Sequence, residues 1–152
     1  MVTIEKSCEM LASVDRVWEL ISDTDKDQEY WGAIRDIKVL KRDGNTIERE
    51  ATVGPRAFAH KGRQTLVLDP KSSIELTMAG AGMGGERKIV LTPTGDDRTR
   101  VDVSWNIEVA DAPGFVQGIV KGQISKAPED ALKKFKNEAE RIRPPDGGKG
   151  VS

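Results

Sequence analysis

The stretch LTMAGAGMGGERKIVLTP, Leu76 to Pro93, decides between two fold classes. Within it Gly80, Gly82 and Gly85 spell G-x-G-x-x-G, the pattern with which a strand-turn-helix unit holds a dinucleotide. That use needs a helix directly after the glycines, because the helix amino terminus meets the pyrophosphate. Here SIELTM before the glycines reads as a strand, and ERKIVLTP after them reads as another. Strands on both sides make the segment a hairpin of an antiparallel sheet. The dinucleotide reading fails in its own context, and no cofactor is expected. What the glycines predict is a flexible hairpin connection. A sharper reading makes it a gate, with Met83 tipping into the mouth of a cavity.

The alternation continues on both sides of this hairpin. Downstream, PTGDDRT is a turn, and Val101, Val103, Trp105, Ile107 and Val109 then face one way while Arg100, Asp102, Ser104, Asn106 and Glu108 face the other. Upstream, IRDIKVLKRDGNTIEREATV reads as strand, turn, strand around Asp43-Gly44-Asn45. GPRAFAHKGRQTLVLDPKSSIELTM adds two strands, with turns at Gly54-Pro55 and near Asp69-Pro70-Lys71. At the amino end Val2, Ile4, Cys8 and Met10 share one side of a strand that Lys6 interrupts. SVDRVWELISD follows as a helix, with Ser13 as N-cap, Asp15 in the first turn and a stripe of Val14, Val17, Trp18 and Ile21. A second short helix is expected over DKDQEYWGAI, ending near Gly32. From about Pro113 to Ile142, apolar residues recur at helical spacing, and Pro128 should kink that helix or start a new one.

The predicted class is therefore α+β: a curved antiparallel sheet of six to seven strands packed around a long C-terminal helix, with one or two short helices after the first strand. Residues 1–143 form the expected domain, and 144–152 an expected disordered tail. A chain of 152 residues suits one domain with a core of its own. Its 24 basic and 25 acidic residues lack the basic excess of a nucleic-acid protein, so no nucleic-acid partner is expected. LKKFKNEAERIR is locally basic, but its mixed signs read as a solvated helix face. The single cysteine, Cys8, cannot form a disulfide within the chain and has no base near it in sequence. MVTIEKSCEM lacks the apolar region of a signal peptide, and no apolar run reaches the ~20 residues of a membrane helix. A cytoplasmic location without an integral membrane segment is expected.

Few residues carry chemistry by themselves. DTDKDQE resembles a calcium loop, but the sixth and twelfth places hold Gln28 and Ile34 instead of Gly and Glu, so it reads as a solvated connection and no metal is expected. If residues 56–68 are one unbroken strand, Arg56, Phe58, His60, Gln64, Leu66 and Leu68 share its buried face; Gly62 would re-aim half of it by marking a bulge. His60 is the only histidine, a residue type that can act as acid or base near neutral pH, yet no nucleophile or metal cluster partners it in sequence, so no catalytic residue is assigned. Arg49 alternates with Ile47, Ala51 and Val53 on an apolar face. A charge there needs either a salt bridge or a wet cavity holding a polar ligand group. Gly118 and Gly122 lie one turn apart in the long helix, each costing about 1 kcal/mol relative to alanine. Close packing accounts for them, as does room for a ligand with Phe115 and Ile119 facing it. Tyr30 and Trp31 fall where they would close the other end.

SVDRVWELISDTDKDQEYWGAIRDIKVL, IVLTPTGDDRTRVDVSW and the closing helix resemble the START-like superfamily, also called SRPBCC, the helix-grip fold, or the polyketide cyclase/dehydrase and lipid-transport superfamily. The resemblance covers about residues 2–142. VGPRAFAHKGRQTLVLDPKSSIELTMAGAG is similar to the carbon monoxide dehydrogenase G branch of that superfamily, although where the branch has Pro-Gly-Cys this chain has DQEYWGAI. The resemblance implies a hydrophobic cavity between sheet and long helix, and binding or transport of a lipid, quinone or polyketide-like molecule. The expected ligand-binding set is Trp31, Arg49, Phe58, His60, Leu66, Met78, Met83, Trp105, Phe115 and Ile119. A carrier is favoured over an enzyme. The alternatives are a polyketide cyclase or aromatase-type enzyme using His60 and Arg49, and an accessory or assembly partner of a larger complex.

Overall fold

The computed structural model describes residues 2–31, 34–53, 60–80, 83–109 and 114–141, with side chains except at 2, 53, 60, 80, 83, 107–109 and 114–125. The elements run β1 (Val2–Met10), α1 (Val14–Ile21), a 3-10 turn (Thr24–Lys26), α2 (Asp27–Tyr30), β2 (Ile34–Asp43), β3 (Thr46–Val53), β4 (His60–Asp69), β5 (Ser73–Gly80), β6 (Met83–Gly95), β7 (Arg98–Val109) and α3 (Gly114–Glu140). All seven strands belong to one antiparallel sheet of order β1-β7-β6-β5-β4-β3-β2. The predicted α+β helix-grip architecture is the one observed.

Local chemistry sets the element ends. The Ser13 side chain accepts a hydrogen bond from the Arg16 backbone N–H at 3.2 Å and starts α1. Gly44, at φ 59°, supplies the left-handed residue of the tight β2–β3 turn. The Glu140 carboxylate accepts from the Leu11 N–H at 2.7 Å, tying the end of α3 to the link after β1.

Four local expectations change. The glycine-rich segment is mostly strand: Gly80 closes β5, and Gly84 and Gly85 lie inside β6. Because Gly80 pairs with Met83, only Ala81 and Gly82 separate the strands. The gate reading falls on Ala81, Gly82 and the Met83 side chain, which lie outside the described residues. Gly85 is glycine for a backbone reason, its φ of 153°. Gly62 marks no bulge, since β4 pairs with β3 and β5 without a shift in register. The second helix is only four residues long, because the backbone is already extended at Trp31, φ −98° and ψ 99°. Pro128 starts no new helix: α3 runs through it, with buried Ala127, Ala131, Leu132 and Phe135 holding the helix on both sides.

The register organises the concave face into rows. Ile47, Leu66, Leu76, Arg87, Trp105 and Ile4 align across six strands. The next row is Arg49, Gln64, Met78, Gly85 and Ile107, and the one beyond it Ala51, Gly62, Gly80, Met83 and Val109. On the other side, buried Ile74, Ile89, Leu91, Val101, Val103 and Met10 form an apolar floor. The carboxyl half of α3 lies toward this floor, with Glu129 paired to Lys6 at 3.6 Å. Lys6 interrupts its strand because it sits on the edge strand and reaches α3.

Candidate functional site

Two arginines stand on the concave face. Arg49 on β3 and Arg87 on β6 are 1% and 2% exposed. Each comes from a strand whose alternation points it inward, between apolar neighbours. Three strand spacings separate β3 from β6, about 14 Å along the sheet. Two long arginine side chains reaching toward each other close that distance, and one oxygen meets both. Asp27 Oδ2 lies 2.9 Å from Arg49 Nη2 and 3.7 Å from Arg87 Nη2. That carboxylate hangs from α2, above the face, and is itself 2% exposed.

All three side-chain nitrogens of Arg49 donate: Nε to Gln64 Oε1 at 2.8 Å, Nη1 to the Thr24 carbonyl at 2.9 Å, and Nη2 to Asp27. Gln64 in turn donates weakly to the Met78 sulfur at 3.6 Å. Of the two readings open for Arg49, the structure takes the salt bridge. Its donors hold β3, β4 and the α1–α2 link together and are engaged within the protein. DTDKDQE is likewise not merely a solvated connection, because Thr24 and Asp27 turn inward as partners of Arg49. Asp23 and Asp25 remain on the surface, paired with Lys26 and Arg42.

Arg87 is less well served. Its guanidinium carbon lies 4.2 Å above the centroid of the Trp31 ring, a cation–π contact. Trp31 also meets Trp105 and Phe135 edge-on, at centroid distances of 5.8 and 6.4 Å. Tyr30 stacks on Phe135 at 4.0 Å. Among the described residues, the buried Arg87 Nε and Trp31 Nε1 have no hydrogen-bond partner. Burial pulls the Arg87 guanidinium down to about 10, against the opposing effect of Asp27, so it remains charged at neutral pH. Burial likewise raises the Asp27 carboxyl above its ordinary range, against the pull of Arg87 and Arg49. Two guanidiniums facing one carboxylate leave one positive charge unbalanced among these side chains.

The structure brings together Trp31, Arg49, Leu66, Met78 and Trp105 of the predicted set on or against the concave face. His60 pairs through its backbone with Val53, but its side chain, like those of Met83, Phe115 and Ile119 and the whole of Phe58, lies outside the described residues. Sequence reasoning missed Arg87 and Asp27. Arg87 alternates with Ile89 and Leu91, the same signal that singled out Arg49. Cys8 is half-buried, and burial raises its thiol above the ordinary range, the reverse of an activated nucleophile. Among the described residues no group of three or more His, Cys, Asp or Glu is placed to hold a metal. A groove of about 370 Å³ lies on the polar face between β1, β7 and β6, but its lining mixes Glu5, Asp102, Lys88 and Arg100 and is separate from the buried cluster.

Residues 1–140 match the family model described as polyketide cyclase / dehydrase and lipid transport. The chain belongs to this family. The match does not separate the carbon monoxide dehydrogenase G branch from the rest. Among solved structures, the family fold recurs in the Zhui aromatase/cyclase from Streptomyces sp. R1128, at 18% identity and TM-score 0.74 over 97% of this chain and 99% of that one. A START superfamily protein from Mycobacterium smegmatis matches at 18% identity and TM-score 0.74, covering 93% and 99%. A Thermus thermophilus protein matches at 16% identity and TM-score 0.77, covering 91% and 97%. At these identities the likeness is one of fold. No curated protein matches the chain by sequence. Among the described residues, no helix is long and apolar enough to cross a membrane.

Proposed function

We propose that the chain binds a small hydrophobic molecule between the concave face and the amino-terminal half of α3. One observation carries this reading: the concave face loses bulk in a single row. Ala51, Gly62 and Gly80 align on three neighbouring strands, where the row before holds Gln64 and Met78 and the row before that Leu66 and Leu76. α3 begins at Gly114, shortly after β7 leaves this row at Val109. Met78 leans over Gly62: a Cβ placed there would come within 2.8 Å of the Met78 methyl. An unbranched thioether swings aside more readily than a branched side chain, so Met78 is suited to yield to a ligand. The walls are then Leu66, Met78, Trp105 and Trp31, each gaining roughly 25 cal/mol per Å² of ligand surface removed from water. The family description, with lipid transport in it, supports a carrier of this kind. A single free cysteine suits a reducing compartment such as the cytoplasm.

The test is extraction of the purified protein with organic solvent, followed by mass spectrometry, alongside titration with the neutral fluorophore N-phenyl-1-naphthylamine. A specific extractable compound or saturable dye binding is expected. Neither, measured against a control protein of similar size, would sink the reading.

A further inference from the structure

We propose that the molecule held in this site is an amphiphilic monoanion, its acidic head received by the guanidinium of Arg87 and the indole N–H of Trp31. The proposal rests on the cavity reading above and names the chemistry of its ligand. Three observations point the same way. The first is charge. Arg49, Arg87 and Asp27 are all at least 97% buried as side chains, and together they carry one positive charge that is unmatched among the described residues. A buried charge without a counter-ion is costly, and a bound anion is the simplest partner that removes the cost.

The second is hydrogen bonding. Arg49 uses every side-chain nitrogen within the protein, so the surplus resides on Arg87. Its Nε and the Trp31 Nε1 are the two buried side-chain donors without a partner among the described residues. Each unmet buried donor costs about 1–3 kcal/mol, and an anionic oxygen is the acceptor that recovers most. They belong to two groups in direct contact, the guanidinium lying over the indole ring. The third is position. Arg87 occupies the row next to Met78 and Gly85, two rows from Gly62 and Ala51, so an apolar body that lies across Met78 from the thinned region brings its head to Arg87. The surplus of a single charge selects a monoanion, such as a carboxylate or an ionised phenol or enol, over a dianionic phosphate.

A pair of dyes with one scaffold tests this. 1-Anilinonaphthalene-8-sulfonate carries an anionic head, and N-phenyl-1-naphthylamine is the same body without it. We expect the wild type to bind the sulfonate about tenfold or more tightly than the neutral dye, the scale of one charge-assisted hydrogen bond. In Arg87→Met the preference, taken as the ratio of the two affinities, should fall to about twofold or less. Trp31→Phe keeps an aromatic ring but loses the pyrrole half of the indole with its donor, and should lose part of the preference. Arg63→Gln, an exposed charge on the outer face, should leave it intact. Equal binding of the two dyes by the wild type, or a preference that survives Arg87→Met, overturns the monoanion proposal while leaving the cavity standing. If neither dye binds, the cavity reading fails and this proposal fails with it. The wild-type comparison needs no variant, so it decides even if Arg87→Met does not fold.

Discussion

Toward Met10, the concave face presents Ile89, Leu91, Val101 and Val103, all buried, and the described half of α3 offers Ala127, Ala131, Leu132, Phe135 and Ala139 in return. Toward Ala51, the same sheet presents two arginines, a glutamine, glycines and a methionine. The side chains named at the first end fill space, and the buried Thr99 hydroxyl there is satisfied by the Ala12 carbonyl at 2.9 Å. Those at the other end carry surplus donors over a row that is short of bulk. A protein that needed only to fold would gain from extending the first pattern across the sheet, because replacing a buried ion pair by apolar groups is often neutral or stabilising. Keeping the second pattern points to a task other than stability.

Asp27→Ala attacks the polar end at its joint and should have the largest effect. It leaves two guanidiniums buried without a counter-ion, and a loss of about 3–5 kcal/mol in urea denaturation is expected. Adding Arg87→Met should then recover part of that loss, since it removes the charge left stranded. Independent, additive losses would show that the two residues do not act as a unit. Leu132→Ala attacks the apolar end and should cost about 3 kcal/mol by cavity formation, with the ratio of anionic to neutral dye affinity unchanged. A change in that ratio would break the division between the two ends. Gly62→Ala should cost about 1 kcal/mol, because the new methyl displaces only the flexible tip of Met78. Its larger consequence should be weaker binding of the neutral dye, seen in the same titration.

The smallest effect is in pH. Burial raises the Asp27 carboxyl, so the folded protein takes up that proton at a higher pH than the unfolded chain does. Stability from this group is therefore full below the ordinary carboxylate range and declines as pH rises through the raised value. Compared with Asp27→Asn, the wild type should gain slightly in relative stability as pH falls from neutral into that range. A relative loss on acidification would show that the two guanidiniums outweigh burial.

The fold was legible because strand alternation and helical spacing are local. Val101, Val103 and Trp105 declare their face without any partner, and Asp43-Gly44-Asn45 declares its turn. Arg49 was legible for the same reason, as a charge out of phase with its strand. Arg87 carries the same signal, but its segment was read for its glycines. Asp27 was not legible. It is one acid among Asp23, Asp25, Asp27 and Glu29, and only the path of the 3-10 turn into α2 decides which of them turns inward. The glycines were legible as breaking a nucleotide site, yet their place within strands depended on pairing, Met78 with Gly85 and Gly80 with Met83.

The sheet order carries a consequence in time. From β2 to β7 each strand pairs with the next along the chain, so this part can zip up through short closures. β1 is different. It lies beside β7, and the hydrogen bond from Thr3 to Asn106 joins residues 103 apart in sequence. Such a closure is slow to find, and its entropy must be met before its contacts form. β1 and α1 should therefore dock last, onto a meander already assembled. Pulse-labelled hydrogen exchange during refolding would show it as late protection of the β1 amides; early protection there would reverse the order.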